Sequence, residues 1–301
     1  MSAATSTTTT GAGSTTPQEI TQRSDRGQKI RMYLGLALIV IWGLAPFYWM
    51  VVTAFRDVQF TFDTTPWPTH ITLDNFRTAF STERGNHFGA ALVHSIIIGI
   101  VTTAVAMVVG VFASYALARL NFPGKYIVLG IILGSSMFPG VALVTPLFKL
   151  FRDIGWLTGA NYQALIIPNI SFALPLTIYT LTAFLAEMPW ELEESARIDG
   201  ATQGQAFRKI MLPLAAPGLF TTAILAFIAS WNEYLLAQQF STKQTQTVTV
   251  AIAQFTGAQP HQEPYTAVMA AGTIVTVPLI IMVLIFQRAI VSGLTAGGVK
   301  G

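Results

Sequence analysis

Six stretches of the chain are apolar at nearly every position, without the period-two alternation of a half-buried strand. They run over about 32–55, 90–118, 126–148, 163–186, 214–237 and 266–287. A bilayer crossing needs roughly 20 apolar residues in a helix, and each stretch is long enough. Uninterrupted apolarity of this length excludes an outer-membrane barrel. Asp, Glu, Lys and Arg are absent from all but the fifth, where Glu233 stands near one end. A short polar turn, Arg119 to Lys125, joins the second and third as a helical hairpin would. The pattern predicts an all-α integral membrane protein with six transmembrane helices.

Composition agrees. Of 301 residues, 52% are apolar and 10% charged, and the mean hydropathy is +0.55. A soluble domain carries about 25% charged residues; this supply could not cover a water-facing surface. There is no cysteine, so disulfides, thiolate metal sites and thiol nucleophiles are excluded. The net charge of +3 is no nucleic-acid footprint, because the basic residues sit in loops beside the apolar runs. With the N-terminus inside, eleven basic residues (Arg23, Arg26, Lys29, Arg31, Arg119, Lys125, Arg197, Arg208, Lys209, Arg288, Lys300) face the cytoplasm and six (Arg56, Arg77, Arg84, Lys149, Arg152, Lys243) face out. That excess predicts two cytoplasmic termini.

Three domains follow: a cytoplasmic tail over 1–30, Ser/Thr-rich and too polar to offset its ordering entropy; the membrane domain over 31–291; and a cytoplasmic tail over 292–301. Outside, the loops at about 56–89 and 238–265 are long enough to carry contacts, or are simply solvated surface. Pro139, Pro146, Pro168, Pro175 and Pro278 lie within the runs and predict kinks. Ser135, Ser136 and Asn169 lie close to the kinks, where they either bond helix to helix or line a path. Glu233, with Asn232 beside it, either reaches the interface, pairs with another subunit or meets substrate hydroxyls. His70, His87, His94 and His261 form no ligand cluster, so no metal site is expected.

The loop between the fourth and fifth runs, 187–212, is different. Pro189 suits a first helical turn, and Glu191, Glu193 and Glu194 favour its dipole. Met188, Leu192 and Ala196 recur at i, i+4 as a narrow apolar face, and Gly200 suits a left-handed C′ position. Thr202 and Gln205 fit a capping box that opens a second helix. A first helix this short and polar either lies on the bilayer surface or plugs a groove in another protein.

Glu194-Ser195-Ala196-Arg197-Ile198-Asp199-Gly200-Ala201, followed by Phe207, Ile210 and Leu212-Pro213-Leu214, resembles the EAA motif of permease subunits of binding-protein-dependent ATP-binding-cassette importers. Ser195 departs from the usual Ala. Thr72 to Phe76, Trp231 to Leu236 and the ending Gly293 to Gly301 are similar to the carbohydrate-uptake branch, of maltose and trehalose type. The resemblance implies the fold of those permeases and import of a small oligosaccharide, trehalose or a maltose-like disaccharide being the nearest guess, across a bacterial cell membrane. It implies that 187–212 is a coupling segment in which Glu193, Glu194, Ser195, Ala196, Ile198, Asp199, Gly200 and Ala201 meet a cytoplasmic ATPase, Glu194 against a basic group and Ala196 and Gly200 allowing close approach. Leu294, Thr295, Gly297, Gly298 and Lys300 in the tail would also reach the ATPase. Ser135, Ser136, Asn169, Asn232 and Glu233 are candidates for the substrate path, and Gln244, Gln246, Gln254 and Gln259 for binding-protein contact. Implied partners are a second permease subunit, two ATPase copies, a lipid-anchored sugar-binding protein and membrane lipids, with no nucleic acid. No P-loop is present, since Arg119 stands where the first glycine before Gly124-Lys125 would be. The chain is therefore expected to be no enzyme and to bind no cofactor, ATP and Mg belonging to the ATPase. The competing reading is an ion-coupled secondary sugar transporter, which calls for ionisable groups at the bilayer midplane; the runs hold none.

Overall fold

The computed structural model describes residues 18–82, 86–255 and 264–296. Contacts divide the chain into two units, one ending at Trp49 and the other beginning at Met50. Helix α1, Gln18–Ala54, is apolar through its second half. It begins at Gln18, so the tail expected over 1–30 is helical from that point. Gln, Glu and Arg are good helix formers, and extending an existing helix costs far less than starting one.

Beyond α1, Arg56 pairs with Ile71 in an isolated antiparallel bridge, and α2, Asp74–Phe80, closes a small cap. The Asn75 amide, buried, donates to the carbonyls of Ala54 at 2.9 Å and Arg56 at 2.6 Å. The Arg56 guanidinium, also buried, donates to the carbonyls of Asp63 and Thr65.

Helix α3, Phe88–Arg119, is unbroken, contains no proline, and is long and apolar enough to cross a bilayer. The hairpin turn follows, with Gly124 at φ +83°, a region glycine enters without steric penalty. The third apolar run is not one helix: α4, Lys125–Ser136, and α5, Gly140–Asp153, meet at 85°. Pro139 is the N-cap of α5, so it breaks the run instead of kinking it. Helix α6, Gln163–Glu187, continues through Pro168 and Pro175. Then come α7, Glu191–Ile198, and α8, Gln203–Ala206, which passes through a π turn at Phe207–Met211 into α9, Leu212–Leu214. This segment meets α10, Ala216–Trp231, at 72°. The fifth run ends at Trp231, short of its expected end at 237. Two short helices follow, α11 at Leu235–Phe240 and α12 at Val248–Ala253, and α13, Tyr265–Ala296, is the last. Among the described residues four helices are long and apolar enough to cross a bilayer, or six spans if each bent pair is one.

Glycines set the closest approaches. A Cβ on Gly99 would stand 2.8 Å from the Phe227 ring, and one on Gly218 2.6 Å from the Phe184 ring. Through these contacts α3 packs on α10, and α10 on α6.

Candidate functional site

Two regions hold most of the candidate residues. In the first, α7 ends in a Schellman closure: the Ala201 N–H donates to the Ala196 carbonyl at 2.9 Å and the Gly200 N–H to that of Arg197 at 3.1 Å, with Gly200 at φ +88°. This motif needs a left-handed C′ residue. The capping box is complete, Thr202 Oγ1 accepting from the Gln205 N–H and Gln205 Oε1 from the Thr202 N–H. The turn between α7 and α8 is therefore fixed by backbone and capping bonds at both helix ends.

The orientation of α7 departs from the expected apolar face. Glu193 and Ala196 are buried within the chain, while Leu192 is exposed. Glu193 Oε1 accepts a hydrogen bond from Tyr115 Oη of α3 at 2.6 Å. Arg119 Nη2 donates to the Met188 carbonyl at 2.8 Å, and its guanidinium lies 5.5 Å from the centre of the Trp190 ring. A buried carboxylate requires a donor, and the tyrosine at the end of α3 supplies it; that requirement, more than the apolarity of Leu192, sets the rotation of the helix. Glu193 and Ala196 thus face their own chain. Glu194, Ser195, Ile198, Asp199 and Gly200 face outward; Ile198 is 80% exposed. Glu194, Arg197, Ile198, Ala201, Thr202 and Gln203 line an open groove of about 550 Å³.

The second region is a recess of about 330 Å³ where two helix interruptions, the α4–α5 break and the α10–α11 break, face the unbroken middle of α6. Ser136, Asn169 and Glu233 line it with Phe138, Gly140, Phe172 and Ser230. Pockets for small molecules span roughly 300–1000 Å³, and irregular backbone at membrane depth is tolerated where it lines a cavity. Ser135 and Asn232 are exposed nearby without lining it. Ser135 and Ser136 donate to the carbonyls of Ile132 and Leu133, and the Asn169 amide to that of Leu165. These bonds stay within their own helices. Glu233 caps α11, its two carboxylate oxygens accepting from the N–H groups of Leu236 at 2.7 Å and Ala237 at 2.9 Å.

The loop that carries α12 rests on α3 and on the wall of the recess. Val248 N–H donates to Ser95 Oγ of α3 at 2.8 Å, and Thr249 Oγ1 to the Glu233 carbonyl at 2.8 Å. Gln246 and Gln254 bond to each other at 2.7 Å, and Gln244 is exposed. Gln259 and the tail residues Gly297, Gly298 and Lys300 lie outside the described residues. Leu294 and Thr295 fall within the last turns of α13. Among the described residues no group of three or more His, Asp or Glu could hold a metal ion.

Residues 106–296 match the family of binding-protein-dependent transport system inner membrane components. The chain belongs to this family. The permease is 49% identical to the trehalose transport system permease protein SugB of Mycobacterium tuberculosis, over 88% of the chain and 95% of that protein. It is 42% identical to the trehalose/maltose transport system permease protein MalG of Thermococcus litoralis, over 91% and 98%. In fold it is similar to a chain of a bacterial transporter that imports alginate, with a TM-score of 0.70, 22% identity and coverage of 88% and 97%. The ion-coupled reading finds no support among these relatives.

Tyr115 and Arg119 were not singled out in the sequence as site residues. Their i, i+4 spacing at the end of α3 is the signal that marks them: the only tyrosine and the only arginine of that helix share one face.

Proposed function

We propose that the permease forms half of a heterodimeric path through which an ATP-driven importer moves a small neutral oligosaccharide, trehalose or a maltose-like disaccharide, into the cell. The sugar class rests on the trehalose and trehalose/maltose transport systems to which the relatives above belong. A sister permease completes the path, two copies of a cytoplasmic ATPase supply the energy, and an extracytoplasmic, lipid-anchored binding protein delivers the sugar. Both termini lie in the cytoplasm, by the distribution of basic residues. The permease itself catalyses no reaction and holds no nucleotide.

The observation that carries this reading is the form of 187–201: a short helix fixed on its inner side by Glu193 and Ala196, closed by Gly200, and presenting Glu194, Ser195, Arg197 and Ile198 outward. An exposed Ile198 beside two opposite charges suits a protein groove. The ATPase subunits close on ATP, the helix moves with them as a rigid piece, and access to the recess switches sides. Ser136, Asn169 and Glu233 offer polar contacts there, Phe138 and Phe172 a ring face each. Gln244, Gln246 and Gln254 lie on the loop facing the binding protein.

Uptake of labelled trehalose and maltose by a deletion strain carrying Glu194→Lys or Gly200→Trp tests the proposal. Both variants should accumulate in the membrane and import nothing; wild-type uptake by either would refute the docking role. Deleting 292–301 should lower uptake if the tail also reaches the ATPase.

A further inference from the structure

Helix α3 touches both ends of the machinery. At its inner end Tyr115 holds Glu193 of α7 at 2.6 Å, and Phe207, beyond α8, packs on the Tyr115 ring with centroids 4.5 Å apart. At its outer end Ser95 Oγ accepts from the Val248 N–H at 2.8 Å. One residue earlier His94 Nδ1 lies 3.1 Å from the Gln246 carbonyl, which makes that nitrogen the one bearing the proton. From there Thr249 Oγ1 donates to the carbonyl of Glu233, on the wall of the recess. The twenty residues from Ser95 to Tyr115 span roughly 30 Å of helix. α3 contains no proline and no break in that interval, whereas the segments α4–α5 and α8–α10 are both bent sharply. An unbroken helix closely packed on its neighbours shifts as a unit, since packed interiors do not deform continuously.

We infer that α3 is a rod that transmits displacement of α7 to the outer loop and, through Thr249, to the recess, with Tyr115 and Ser95 as its two fastening residues. The inference rests on the coupling role proposed for α7. Tyr115 and Ser95 act through other groups and are positioning residues. Because the fastenings lie in series, loosening either one disconnects the same motion, and loosening both adds nothing. Two independent structural bonds would behave otherwise: their effects would multiply. Contacts alone do not establish such a route, and coupling must be measured.

The measurement is sugar imported per ATP hydrolysed by the complete transporter, reconstituted with its ATPase and binding protein in lipid vesicles. Tyr115→Phe removes the inner donor and Ser95→Ala the outer acceptor. Each should lower the ratio by about fivefold, the equilibrium equivalent of one net hydrogen bond. The double variant should fall no further than the weaker single, and Glu193→Gln, which keeps an acceptor for Tyr115, should retain most of the ratio. Unchanged ratios in both singles, or losses that multiply in the double, overturn the rod. If Tyr115→Phe does not accumulate, Glu193→Ala replaces it in the same comparison. Glu194→Lys separates the two levels: import abolished by it with normal ratios in the singles leaves docking intact and removes the rod, whereas wild-type import in Glu194→Lys removes docking itself.

Discussion

Thr177 of α6 aims its methyl group at Gly110 of α3, so closely that a Cβ on the glycine would stand 2.5 Å from it. The methyl cannot swing aside freely, because Thr177 Oγ1 is tied to the Ala173 carbonyl at 2.8 Å. Gly110→Ala is therefore an overpacking change, expected to cost about 1–3 kcal/mol. Thermal unfolding of the purified permease in detergent should show the loss. Thr177→Ser keeps the hydroxyl and removes the methyl, so adding it to Gly110→Ala should restore most of the stability. An additive loss in the double variant would place the strain elsewhere.

The cap that follows α1 depends on one amide. Asn75 is buried and its Nδ2 serves the carbonyls of both Ala54 and Arg56. Asn75→Asp removes the donor and sets a carboxylate against two carbonyl oxygens, leaving buried acceptors unpaired at about 1–3 kcal/mol. Limited proteolysis of the purified permease should cut the 56–82 segment faster in this variant, while cleavage elsewhere stays as in the wild type.

The cap also has a defined response to acid. The Thr65 hydroxyl donates to the Asp63 carboxylate at 2.8 Å and the Thr65 N–H at 3.2 Å. These bonds first, and the nearby Arg56 charge after them, hold the Asp63 pKa below the ordinary carboxylate value. A group whose folded pKa is depressed stabilises the fold above its unfolded pKa, and that contribution disappears as pH falls through the folded one. Protease resistance of the cap should be flat from neutrality to about pH 5 and decline only below about pH 4, the unfolded value for Asp. Thr65→Val removes the hydroxyl bond, so it should lower the cap's resistance near neutrality and make the acid-dependent decline smaller, its onset staying near the unfolded value.

Much of this architecture is legible in the sequence, and its failures have physical causes. Gly200 and the Thr202–Gln205 pair read correctly because capping and left-handed closure are local rules, independent of what packs nearby. The six apolar runs read correctly as membrane segments, but hydropathy is blind to direction. Met137-Phe138-Pro139 is as apolar as its flanks, so the 85° break between α4 and α5 leaves no trace beyond the proline. α7 is rotated from its expected face because its anchor is polar: Glu193 turns inward to a hydroxyl 78 residues earlier in the chain, a pairing no local pattern encodes. Asn169 and Ser136 were readable as polar residues beside prolines; their convergence with Glu233 on one recess is a property of the packing.

Glu233 is both a helix cap and a wall of the recess. Its oxygens take the N–H groups of Leu236 and Ala237, which as first-turn donors of α11 have no partner within the helix. It is still only half-buried and faces the recess. Glu233→Ala should lose the cap, at about 0.5–2 kcal/mol of stability. It should also weaken sugar handling, because α11 and the Thr249 contact at the Glu233 carbonyl frame the same wall. Glu233→Gln retains one good acceptor and should recover most of the stability. If the charge also meets sugar hydroxyls, Glu233→Gln will still raise the transport KM although the fold is intact. A normal KM with a restored melting temperature would confine Glu233 to holding α11.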